Sequence, residues 1–167
     1  MKTRSLIASL LMLGAAAQAH ADSATITVTG KVLPGTCTLA DVPIALDDVD
    51  AVDLSAGGQH GLKAAALNFT GCVGVNAVDL TFDGAADAAQ DGHWQNQATG
   101  GATGVAVALL DGTTGNVFLK KGDKKTVQLN GGATGKLDLR AGYSRKAGTL
   151  LKAGDVSTEI TVTADYR

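Results

Sequence analysis

Proline is nearly missing from this chain, with two residues against 22 glycines, so its turns are made by Gly with Asp and Asn. Long apolar runs are missing as well. Leu6 to Ala17 falls short of the ~20 residues that cross a bilayer, and no later segment approaches that length. Neither sign of charge dominates: the formal net charge is -2, and the mild acidity argues against nucleic acid or anionic lipid as the main partner. Cysteine occurs twice, at Cys37 and Cys72. Two are too few for a zinc site unless His60 and His93 join them, and neither His lies at ligand spacing from a Cys.

Catalytic constellations are missing too. There is no Gly-x-Ser-x-Gly elbow and no His-Glu-x-x-His. Gly131-Gly132-Ala133-Thr134-Gly135-Lys136 is one residue short of a phosphate loop, and Leu137 stands where a Ser or Thr would hold magnesium, so it reads as a hairpin turn. Asp47, Asp48, Asp50 and Asp53 are clustered, but their spacing lacks the sixth-position Gly and twelfth-position Glu of an EF-hand, which leaves a solvated acidic loop. His60 and His93 read as surface histidines in polar loops, Trp94 as a partly buried loop aromatic, and Lys120 to Lys125 as a charged turn at a hairpin tip. The expectation is a protein with no enzyme activity, no metal and no cofactor.

The N-terminus carries a different signal. Lys2 and Arg4 precede the apolar run, and Ala19-His20-Ala21 supplies the small-x-small pattern of a secretory cleavage site. Residues 1–21 therefore read as a signal peptide, leaving a mature chain from Asp22 with a charge of -4 once Lys2 and Arg4 are removed. The mature length suits one domain burying roughly two-thirds of its unfolded surface. Export to an oxidising compartment predicts a Cys37–Cys72 disulfide. Closing that loop stabilises the fold by roughly 3–4 kcal/mol in the chain-entropy model.

Many short, alternating segments punctuated by Gly-rich turns fill the mature chain, the pattern of an all-β sandwich or barrel. Thr25 to Leu33 alternates and Cys37 to Leu46 follows it. Leu62 to Cys72, Val78 to Phe82, Val105 to Leu110, Val117 to Leu119, Val127 to Leu129 and Leu137 to Tyr143 come next. Lys63 to Ala66 is alanine-rich enough for a helical turn, but no segment holds ten residues of 3.6 period.

The last segment is the most informative. From Val156 to Tyr166 the residues alternate without a slip, with Val156, Thr158, Ile160, Val162, Ala164 and Tyr166 on one face. A chain that stops on such a strand, with no Pro, Gly or Lys in the run to blunt its edge, leaves two readings. Either the strand is paired on both sides within its own domain, or its outer edge takes a strand from elsewhere. A second alternating segment, directly behind the signal peptide, can add to the sheet edge of another molecule. If every copy both donates and accepts, the contact is head-to-tail and the product is a fibre.

Several motifs in fixed order extend this. They are Gly30-Lys31-Val32-Leu33-Pro34-Gly35-Thr36-Cys37, Leu67-Asn68-Phe69-Thr70-Gly71-Cys72, Gly104 to Asp111, the Leu137 to Tyr143 strand, and the closing strand with Gly154 fourteenth from the end and Tyr166 penultimate. Together they resemble the chaperone–usher fimbrial subunits of the type 1 pilin family. The resemblance implies an incomplete immunoglobulin-like sandwich over 30–167 that lacks its last strand, leaving a groove beside the closing strand. A periplasmic chaperone is implied to zip onto Ile160, Val162, Ala164 and Tyr166, near Gly154, and to grip the carboxylate of Arg167. At an outer-membrane usher the next subunit's extension, residues 22–29 presenting Ala24, Ile26 and Val28, is implied to replace it. The implied role is a structural subunit of a surface fimbria that supports adhesion, partnered by other pilin subunits. The alternative is a monomeric secreted or tip-located adhesin-type binding module of the same fold, with an unassigned host receptor. A two-domain tip adhesin is expected to be about twice as long, which opposes that alternative.

Overall fold

The computed structural model of the protein describes residues 24–167. The signal peptide over 1–21 and the first two residues of the extension lie outside the described residues. The chain divides into one unit of residues 1–31 and another of residues 32–167. Of the first, residues 24–31 are exposed and belong to no strand, so the alternation of Thr25 to Leu33 does not form a strand here.

The second unit contains β1 (Thr38–Leu39), α1 (Ala51–Ser55), β2 (Gln59–Thr70), β3 (Ala77–Gly84), β4 (Trp94–Gln95), β5 (Val105–Asp111), β6 (Lys124–Gln128), β7 (Gly135–Arg145) and β8 (Ile160–Tyr166). They form a five-stranded sheet ordered β1-β2-β7-β5-β4 and a three-stranded sheet ordered β6-β3-β8. Every pairing is antiparallel. Alternation explains the layering: Leu67 and Phe69 of β2, Val78, Leu80 and Phe82 of β3, and Leu139 and Ala141 of β7 all turn inward and are buried. β5 is buried on both faces from Val105 to Leu110, which is why it reads as a continuous apolar run rather than an alternating one.

The fold is all-β, and the disulfide joins Cys37 to Cys72 across 35 residues. Lys63 to Ala66 is not helical but lies inside β2, where ladder pairing to Leu139, Arg140 and Ala141 overrides alanine's helix preference. Helix occurs instead in the acidic segment. The Asp50 carbonyl accepts the Asp53 and Leu54 amides at 3.0 and 3.2 Å and starts α1, while Asp47 pairs with Lys63 at 2.6 Å. Lys124 and Lys125 are not loop residues but belong to β6, facing Thr81 and Leu80 across the ladder. Leu129 falls just past the end of that strand. Val117 to Leu119 returns against β5 through a single bridge, Leu110 to Phe118, rather than as a strand.

Two residues read as loop features prove to be interior. Trp94 is 0% exposed and its indole Nε1 donates to the Leu119 carbonyl at 2.9 Å, which satisfies its one polar atom. His93 is buried rather than on the surface. Its Nδ1 lies 2.9 Å from the Asp91 carbonyl, its Nε2 lies 3.3 Å from the Gln90 amide, and its ring packs on Phe118. His60 is half-buried with Nε2 2.8 Å from the Gly57 carbonyl.

Candidate functional site: an apolar groove beside an edge strand

β8 pairs with β3 along seven residues, from Val78–Tyr166 to Gly84–Ile160. Among the described residues no strand pairs with its other edge. The sequence alternation is reproduced in burial without a slip. Val156, Thr158, Ile160, Val162, Ala164 and Tyr166 are half-buried, and Ser157, Glu159, Thr161, Thr163 and Asp165 are exposed. The ladder itself begins only at Ile160. Before it, the backbone is held by side chains and a loop: Asn96 Oδ1 accepts the Ser157 amide at 2.9 Å, and the Gln97 amide donates to the Ser157 carbonyl at 2.7 Å.

The opposite wall is the segment from Cys37 to Leu46. Only its first part, β1, pairs with β2, through Thr38–Thr70 and Leu39–Phe69. Ala40 to Leu46 is extended without a strand partner, and Leu39, Val42, Ile44 and Leu46 turn toward the core. Between the two walls runs a groove of about 1050 Å³, floored by Leu67, Phe82, Val107, Leu109 and Leu139. On the β8 side it follows Val156 to Val162, about 20 Å of extended chain at ~3.3 Å per residue. An apolar channel of that length, edged by free backbone amides and carbonyls, has the shape of one further strand.

The groove ends where Ala164 and Tyr166 stand, since neither lines it. The Tyr166 hydroxyl donates to the Cys37 carbonyl at 3.2 Å, tying the end of β8 to the opposite wall beside the disulfide. Arg167 is held from several sides. Its main-chain oxygen accepts the Asn76 and Ala77 amides at 2.6 and 3.0 Å, and its guanidinium reaches Asp79 at 2.6 and 2.7 Å. The Thr126 hydroxyl, with Arg167 beside it, holds the Asp79 carboxyl below the usual carboxylate range despite a smaller opposing effect of burial. Gly154 crosses Gly101 and Ala102 so closely that a Cβ would sit 2.7 Å from their backbone, and φ there is +158°.

Of the other site residues expected from sequence, Ala24, Ile26 and Val28 are exposed, Ile26 at 88% and Val28 at 89%. The exposed row does not stop at Thr29. Gly30 has nothing near it and Val32 is 95% exposed; every residue from 24 to 34 is exposed, and the alternation of Ala24, Ile26, Val28, Gly30 and Val32 is that of the sequence. Among the described residues no group of three or more His, Cys, Asp or Glu is placed to hold a metal ion.

These features define a class: an immunoglobulin-like sandwich that lacks its last strand and keeps an apolar groove where that strand would lie. The chain belongs to the fimbrial protein family, whose sequence model matches residues 26–167. It is 32% identical over 170 residues to the S-fimbrial adhesin protein SfaS of Escherichia coli O6:K15:H31 (strain 536 / UPEC), covering 99% of both chains. It is 36% identical to the protein FimG of Escherichia coli strain K12, over 75% of this chain and 73% of that one. Among solved structures, a subunit of a chaperone–usher pilus superposes with a TM-score of 0.65 at 17% identity, over 91% of this chain and 100% of that one.

Proposed function

We propose that this protein is a structural subunit of a bacterial fimbria that polymerises by strand exchange: residues 24–32 of one copy fill the groove of the next. The observation that carries this is the pairing of an unpaired β8 edge over an apolar groove with an exposed alternating row in the same chain. Burying a Val or Ile side chain is worth ~1.5–3 kcal/mol, so Ile26, Val28 and Val32 together supply on the order of 5–9 kcal/mol before any backbone pairing. The backbone adds donors and acceptors along an edge that lacks them. Each copy donates at one place and accepts at another, so the contact is head-to-tail and propagates as a fibre.

An open groove of this size exposes apolar surface that soluble monomers rarely carry. A periplasmic chaperone covers it by pairing with β8 along Ile160, Val162, Ala164 and Tyr166, near Gly154 and Arg167. An outer-membrane usher then exchanges it for the next subunit's extension. The subunit reaches the fimbrial surface through the periplasm, its leader being residues 1–21, and it supports adhesion without enzyme activity.

The first test is deletion of Ser23 to Thr29. The expected result is a folded subunit that the chaperone still holds and that adds no further copy through its own extension. Fibres of normal length overturn the proposal. A second reading, an adhesin-type subunit at the tip, is supported by one observation: a relative named an adhesin aligns over 99% of both chains. A doubled length is expected only of a two-domain adhesin, so length does not separate a rod subunit from an adhesin-type subunit of one domain. Immunolabelling does, by showing label along the whole fibre or at one end.

A further inference from the structure

We propose, on the strand-exchange reading above, that the Cys37–Cys72 disulfide is a mechanical clamp, carrying tension between successive subunits and keeping it out of the groove wall. In a strand-exchanged fibre a pull enters each subunit through its own extension. The domain begins in sequence at residues 32–36, and Cys37 stands directly before β1. Without a clamp, the first structure to feel the pull is β1, which holds only two residue pairs, Thr38–Thr70 and Leu39–Phe69. Behind it lies Ala40 to Leu46, which has no strand partner and yet forms one wall of the groove. Tension on the extension would peel that wall and open the joint to the preceding subunit. A ladder pulled from its end yields one bond at a time, so two pairs give little resistance.

The disulfide diverts this path. Cys72 is buried, just past the end of the twelve-residue β2, and its amide donates to the Ala133 carbonyl at 3.0 Å. β2 is in turn paired with β7 from Gln59–Ser144 to Phe69–Gly135. The chain around Cys37 is braced on the same side: the Val73 amide donates to the Thr36 carbonyl at 3.4 Å, and Gly35 lies so close to Val73 that a Cβ would overlap its carbonyl oxygen. The other end of the load is β8, onto which the neighbour's strand is zipped. Its Tyr166 hydroxyl is bonded to the Cys37 carbonyl, so entry and exit of the load meet at one residue. The path through the subunit is short and covalent at its weakest point.

The test is force spectroscopy on intact fibres of the full chain, compared before and after in situ reduction with a phosphine, with mass spectrometry confirming both thiols free. Any uncoiling of the fibre is common to both states, so the difference between them reads the subunit. Reduced fibres are expected to lengthen by additional steps, each up to about 30 Å for the nine residues from Thr38 to Leu46 at ~3.3–3.6 Å per residue, and to part at lower force. Tyr166→Phe, which keeps the disulfide, is expected to lower the parting force by a smaller amount. A control variant destabilised in the core away from the groove with the disulfide intact, Leu119→Ala, is expected to add no steps. Identical curves for oxidised and reduced fibres overturn the clamp, as do equal extra steps in the Leu119→Ala fibres. If fibres form without Ser23 to Thr29, strand exchange and the clamp both fall; unchanged curves in fibres that need that segment overturn the clamp alone.

Discussion

Val162→Asp is expected to yield a folded subunit whose incorporation into fibres falls at least a hundredfold. Val162 faces Phe82 across the β3–β8 ladder and lines the groove, where it is half-buried. In the free subunit a carboxylate there can turn toward the open channel and keep its water, so the fold loses only packing, about 1–2 kcal/mol. Once a strand fills the groove, the same carboxylate is sealed among apolar side chains with no cation beside it. An unpaired buried charge costs about 3–5 kcal/mol, which is a factor of roughly 150 to 4,000 in the joint. The measurement is a pair: the thermal midpoint of the chaperone-free subunit and the amount of fibre assembled per subunit produced. Val162→Leu, which fills the same space without charge, serves as the comparison and is expected to assemble. A Val162→Asp subunit that assembles normally removes the groove from the account.

Cys37→Ala with Cys72→Ala is expected to cost the subunit about 4 kcal/mol, the chain-entropy value for a loop closed across 35 residues. Against a typical domain stability of ~5–15 kcal/mol that is a large fraction. The effect concentrates on one wall of the groove, because β1 keeps only its two pairs with β2 once the covalent tie is gone. Denaturant titration should therefore show a lowered midpoint, and hydrogen exchange should show the amides of residues 38–46 losing protection before those of β2 and β7. Uniform loss of protection across both sheets contradicts that localisation. A chain as stable as the wild type contradicts the role of the bond altogether.

The strand at the heart of the site was legible because one of its faces is buried and the other is not. Period 2 then appears in the sequence, and the eleven residues from Val156 to Tyr166 follow it in burial one by one. The disulfide followed from cysteine count and export alone. The groove came only through the family resemblance and not from any one segment, because its floor is gathered from β2, β3, β5 and β7 and its openness is a property of strand order. The α1 turn escaped because five residues cannot display a 3.6-residue period. Trp94 and His93 escaped because the polar segment around them supplies β4, whose pairing with β5 brings the indole into the core and leaves His93 against Phe118, which local polarity does not reveal. A lone large aromatic in such a segment was the only trace.

A photo-crosslinking residue at position 28 reports whether the extension of one copy lies in the groove of another. In assembled fibres, peptide mapping is predicted to join position 28 to the groove of a different copy, at Ile160 to Ala164 of β8 or at Leu39 to Ile44 opposite, giving a ladder of covalent oligomers. Cross-links confined to the same chain, or made to another surface of the neighbour, would contradict it.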